Sequence, residues 1–181
     1  GVWAALTAAQ QAELGAYIEV YGSELSSPTY YGSNVSITNI SSKFGDILVE
    51  NCEDVTIQSC RLYGGRSNGG TIMCKNRDAV TAGLGQAKNI VINGNVALLG
   101  GYNSISLDGT DGAVVSNNVT GYCSETSIKL WHDSQDPPTT PIRLANFKTV
   151  VSDNYSIYPY ENGYNINARV PNVPLGGSYV N

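Results

Sequence analysis

The chain has 181 residues, enough for one domain with a sizeable core. Charged residues make up only 14% and the net charge is -5 with no basic cluster, which argues against nucleic-acid binding, since phosphate contacts need Lys and Arg in number. No apolar run approaches a membrane span, so no membrane insertion is expected, and no signal-peptide pattern is visible, which leaves export of a trimmed product open.

At the start, Thr7-Ala8-Ala9-Gln10 reads as a capping box, with Leu14, Tyr17 and Ile18 on one helical face. The spacing predicts a short amphipathic helix from about Ala8 to Ala16, placed to cover an open end of the fold. Ile18-Glu19-Val20-Tyr21 reads as a first strand, followed by a loop rich in Ser and Tyr from Gly22 to Gly32.

From Asn34 onward the chain repeats itself. Asn34-Val35-Ser36-Ile37, Asp54-Val55-Thr56-Ile57, Asn89-Ile90-Val91-Ile92, Gly112-Ala113-Val114-Val115 and Lys148-Thr149-Val150-Val151 are near-copies. Each alternates with period two, as a strand with one buried face does. A second series precedes the first: Ile47-Leu48-Val49-Glu50, Ile72-Met73-Cys74-Lys75, Ile105-Ser106-Leu107-Asp108 and Ile128-Lys129-Leu130-Trp131. One repeat therefore reads strand, turn, strand, Asn-containing turn, short third segment. Repetition at this period marks a solenoid.

Stacking such repeats sets like residue over like. The expected inner columns are Ile47/Ile72/Ile105/Ile128, Val49/Cys74/Leu107/Leu130 and Ile37/Ile57/Ile92/Val115/Val151. Asn95, Asn118 and Asn154 should form an amide ladder at a turn that tolerates left-handed geometry, with Cys60 in the same position. The four cysteines are expected as free, buried thiols rather than bridges, and no metal-ligand spacing is present. Two insertions, about Arg77 to Lys88 and about Asp133 to Asn146, interrupt the repeat between the same two strands and should emerge at one corner. After Tyr155 the repeat fades, although Tyr164-Asn165-Ile166-Asn167 suits one more rung. The expected organisation is residues 1–33 as cap and lead-in, 34–158 as the coil and 159–181 as a tail packing on the last rung or a neighbouring subunit.

This pattern resembles the right-handed parallel β-helix family, the pectate-lyase-like fold, which includes polysaccharide lyases, polygalacturonase-type hydrolases and bacteriophage tailspikes. The resemblance covers roughly Asn34 to Ile157. It implies an all-β, right-handed, single-stranded parallel β-helix of about five to six rungs with a short N-terminal capping α-helix. The acidic charge, the thiols and a predicted exposed ridge of Val91, Val114 and Val150 favour a tailspike-like, homotrimeric receptor-binding domain for a bacterial surface polysaccharide, in a virion tail or outside the cell. A secreted polysaccharide lyase or glycoside hydrolase and a purely structural adhesin or stalk are the alternatives. The calcium-binding acidic cluster of pectate lyases is not recognisable, and no cofactor is expected.

Alternation also fixes the outward residues. Glu50, Lys75, Asp108 and Trp131 form one outward column, and Leu48, Met73, Ser106 and Lys129 another, rising about 4.8 Å per rung. Glu50, Lys75, Lys129, Trp131 and His132 are the candidate carbohydrate contacts, the indole as an apolar platform and the charges for hydroxyls or carboxylates. The same column also reads as an ordinary mixed surface with Glu50 and Lys75 paired, and His132 as a turn residue. For hydrolysis, which needs two carboxyl groups about 5 to 9.5 Å apart, Asp108 and Asp133 are the candidate pair.

Overall fold

The computed structural model describes residues 18–21, 32–65, 70–75, 87–131, 146, 148–166 and 179–180. The described residues contain strands and no helix, and the region of the expected N-terminal helix lies outside them. The strands fall into three parallel sheets wound by one chain, an arrangement consistent with a parallel β-helix. Sheet A holds Ile18–Tyr21, Ile47–Glu50, Gly70–Lys75, Asn103–Asp108, Thr126–Trp131 and Asn162–Ile166. Sheet B holds Gly32–Thr38, Cys52–Gln58, Ala87–Asn93, Thr110–Ser116, Val150–Ser152 and Tyr179–Val180. Sheet C holds five three-residue strands, Ser41–Lys43, Arg61–Tyr63, Val96–Leu98, Val119–Gly121 and Tyr155–Ile157.

Register follows the repeat. Ile18, Ile47, Ile72, Ile105 and Ile128 lie one above another in sheet A, and two residues on so do Val20, Val49, Cys74, Leu107 and Leu130. In sheet B the inner column runs Ile37, Ile57, Ile92, Val115 and Val151. From Ile47 to Leu130 and from Ile57 to Val151 these side chains are almost wholly buried and form one continuous core. Stacking continues past Tyr155: Tyr164 sits over Ile128, and Val180 over Val151. Burial raises the Tyr164 phenol above its ordinary range. The four cysteines are free and buried. Burial, with Cys52 nearby, pushes the Cys74 thiol far above its ordinary range and keeps it protonated.

The corners turn because the backbone passes through the left-handed region at matching positions on successive rungs. Between sheets B and C these are Asn39, Ser59, Gly94, Asn117 and Asp153, with φ of 58°, 56°, 65°, 56° and 53°. Near the start of each sheet B strand they are Asn34, Asp54, Asn89, Gly112 and Lys148. Gly, Asn and Asp dominate both sets, as this conformation favours. Between sheets C and A the set is different: Phe44, Gly64, Leu99, Tyr122 and Tyr158, with φ of 62°, 77°, 61°, 49° and 40°. A left-handed residue with a Cβ costs roughly 1–2 kcal/mol, so this corner holds strain on four rungs.

The residue after the B-to-C corner builds the expected ladder. Asn95 Nδ2 donates to Asn118 Oδ1 at 3.0 Å, and Asn118 Nδ2 donates to Asn154 Oδ1 at 2.8 Å. The same acceptors take backbone N–H groups, Asn95 N to Asn118 Oδ1 at 2.9 Å and Asn118 N to Asn154 Oδ1 at 3.0 Å. Each amide also donates to the sheet B strand of the rung before it, to Ile57 O, Ile92 O and Val115 O. Cys60 occupies the rung below, its N–H donating to Asn95 Oδ1 at 2.9 Å and its thiol to Ile37 O at 3.6 Å. At the opposite corner Asn146 does the same work for Thr110, whose N–H and hydroxyl both donate to Asn146 Oδ1 at 2.9 Å.

Asn118 is 1% exposed and its oxygen serves two donors of Asn95. Asn118→Ala orphans both in the interior, and a loss of about 2–4 kcal/mol is expected from urea unfolding at an unchanged m-value.

Candidate functional site

The outward columns of sheet A fall in the expected register. Glu50 lies beside Lys75, Lys75 beside Asp108, and Asp108 beside Trp131. Lys75 Nζ contacts Glu50 Oε1 at 2.8 Å, and Asp108 takes the matching position on the next rung. Glu50 is 2% exposed and Asp108 8%, while the Lys75 side chain between them keeps 30% of its surface open. The strand position of Trp131 is described but its side chain is not, and His132 and Asp133 lie outside the described residues.

In the neighbouring outward column Leu48 and Met73 are half-buried, while Ser106 and Lys129 are buried. Lys129 turns toward the C-to-A corner, where its Nζ contacts Glu125 Oε2 at 2.7 Å and stands 5.2 Å from the centre of the Tyr102 ring. Tyr102, Glu125 and Glu161 occupy successive rungs there, the Glu125 N–H donating to Tyr102 O and the Glu161 N–H to Glu125 O, both at 2.9 Å. The Tyr102 phenol is held above its ordinary range, first by its hydrogen bond to Glu125, then by burial and by the negative charges of Glu125 and Glu161. Glu125 belongs with the other carboxylates that the sequence offers, but nothing in the sequence singles out Tyr102. The spacing Glu125 to Lys129 imitates a helical pair, whereas here a turn followed by a strand brings the two together.

The chain thus brings Glu50, Lys75 and Asp108 into one line and joins Lys129 to Tyr102 and Glu125 in a second cluster. It also sets every long connection at one corner. The links from sheet A to sheet B are single residues at Asn51 and Gly109, but span residues 22–31, 76–86 and 167–178 elsewhere, and a further long link follows Trp131. Both expected insertions leave sheet A there, beside the end of the Glu50–Lys75–Asp108 line. Chemically, the part of the line open to a ligand is the Lys75 ammonium, a donor to hydroxyls or carboxylates. On the adjoining sheet, Val91, Val114 and Val150 face outward in register, 36%, 38% and 38% exposed.

Comparison with known proteins gave no match to a family model, a curated protein or a solved structure.

The Glu125–Tyr102 bond has a pH signature. Because the phenol titrates above its ordinary range, the neutral, donating form persists through that range and is lost as pH rises through the raised value. In a spectrophotometric or NMR titration, Glu125→Gln is expected to return the Tyr102 midpoint toward the ordinary phenol range; an unchanged midpoint would show that Glu125 does not hold it.

Proposed function

We propose that this coil is a receptor-binding domain of the bacteriophage tailspike kind, recognising a polysaccharide of the bacterial surface. On this reading it is a right-handed parallel β-helix that associates as a homotrimer and works in a virion tail or outside the cell. Right-handedness is what the resemblance implies, and the general preference of parallel crossovers supports it. The observation that carries the recognition is the Glu50–Lys75–Asp108 line. Its Lys75 ammonium keeps open surface and can donate to the hydroxyls or carboxylates of a sugar chain. The corner with the long connections adjoins it, and loops on a rigid scaffold are where solenoids usually build recognition.

The Val91/Val114/Val150 ridge supports the trimer. An aliphatic column in a single register is the self-complementary surface that a parallel assembly of identical coils buries. Light scattering on dilute protein is expected to give a mass near three times 19.2 kDa, and Val114→Lys, which sets a charge in the middle of the ridge, is expected to give the monomer. A monomeric wild-type chain would remove the trimeric reading.

A second reading, that the domain also cleaves its glycan, rests on the carboxylates at this edge, with Asp108 and Asp133 the pair to test. Lyase chemistry draws less support, because the Lys129 ammonium is engaged with Glu125. If the chain hydrolyses a surface polysaccharide, Asp108→Asn is expected to lower the rate by about a hundredfold or more with an unchanged melting temperature. Undiminished turnover in Asp108→Asn would exclude this carboxylate, and binding without turnover by the wild-type chain would leave recognition alone.

A further inference from the structure

The C-to-A corner carries an oddity that neither the core nor the charged line uses. Its left-handed positions hold Phe44, Leu99, Tyr122 and Tyr158, where Asn, Asp or Gly sits at equivalent turns without strain. Phe44 is half-buried, but burial does not compensate for the strain on the three upper rungs, where Leu99 is 51% exposed, Tyr122 49% and Tyr158 79%. Strain kept on these consecutive rungs to display side chains points to a use for them.

The display is ordered. Tyr122 and Tyr158 lie one rung apart with ring centres 5.8 Å apart and planes tilted by 41°. The Tyr122 N–H donates to Ile157 O at 2.9 Å, and the Leu99 N–H to Gly121 O at 3.0 Å, so the three corners share one axis. Gly121 permits this stacking. Its φ is 143°, and a Cβ there would fall 1.9 Å from Ile157 O, so only glycine lets the next rung settle at this height. Tyr160, 82% exposed, follows on the same rung as Tyr158.

The chemistry of the strip differs from that of the valine ridge. Phenol rings offer a flat apolar face and a hydroxyl at its edge, the combination that a pyranose ring takes, whereas the ridge is aliphatic throughout. Charge narrows the class further. Glu125 and Glu161 stack beside the upper part of the strip; Lys129 offsets Glu125, which leaves the exposed Glu161 carboxylate to meet an anionic glycan with its own sign.

We propose that Leu99, Tyr122, Tyr158 and Tyr160 form a second carbohydrate-binding site, distinct from the outward face of sheet A and selective for an uncharged oligosaccharide lying along the coil axis. Successive sugar rings stack on successive rungs.

The test titrates the full chain with cellohexaose, maltohexaose, chitohexaose and, as the anionic comparison, hexagalacturonate, following affinity by calorimetry and Tyr signals by NMR. A neutral hexasaccharide is expected to bind and to shift Tyr122 and Tyr158, with hexagalacturonate binding at least about tenfold more weakly. Tyr122→Asn and Tyr158→Asn are each expected to weaken the neutral sugar by about tenfold or more. Their melting temperatures should match or exceed the parent's, because Asn accepts the left-handed backbone more readily. That split separates a binding role from a structural one. Gln58→Ala, on the exposed face of sheet B, should leave the neutral-sugar affinity unchanged. The proposal is overturned if no neutral sugar binds, if the Tyr variants bind as the parent does, if Gln58→Ala alone removes binding, or if Tyr122→Asn changes the mass in solution, which would make the strip a contact between copies.

Discussion

Among the described residues, each strand finds its hydrogen-bonding partners on adjacent rungs, and that single requirement governs the rest. A parallel strand satisfies its neighbour only in register, so each rung repeats the strands of the one before. Residues are thereby stacked in columns, and a column tolerates only what can stand on its own copy: an Ile on an Ile, an amide on an amide. The asparagine ladder is the polar form of this rule. Asn95 and Asn118 each give to the rung below and the rung above, and Asn154 gives to the rung below and to its own strand, so each ladder amide finds acceptors for its donated hydrogens.

Because columns are built from repetition, much of the fold was legible in the sequence. The isoleucine columns, the outward line through Glu50, Lys75 and Asp108, the ladder and the valine ridge depend only on period and spacing, and all fall in the expected register. Position within a turn was harder to read. Asn146 sits in a segment whose prolines suggest a loop, yet it stands on the Thr110 stack as a ladder residue. Leu99, Tyr122 and Tyr158 could not be recognised as left-handed, because bulky side chains carry no such signal and reach that conformation here only through the stack. Depth was equally hidden. Alternation says which way Glu50 and Lys129 point but not that both are nearly shut off from solvent. The expected N-terminal helix, His132 and Asp133 lie outside the described residues.

The surface divides by chemistry along the same columns. Sheet A carries a line of charge that opens to solvent at Lys75, sheet B an aliphatic ridge, and the corner between sheets C and A a row of phenols. Each is one rung's choice multiplied along the axis. A contact that is weak on one rung is presented several times at a fixed pitch of about 4.8 Å, so a ligand or partner with a matching repeat gains from every rung at once.

The A-to-B corner closes with one residue at Asn51 and Gly109 and with an eleven-residue span at 76–86, while the strands on either side keep their register. Closing a longer loop costs entropy that grows only with the logarithm of its length. Loop content at this corner is therefore insulated from the core: a segment can be lengthened, replaced or borrowed from another protein without resetting a column. A lineage built on such a coil can change what it recognises by exchanging cassettes at one seam, while the scaffold that holds them is inherited intact.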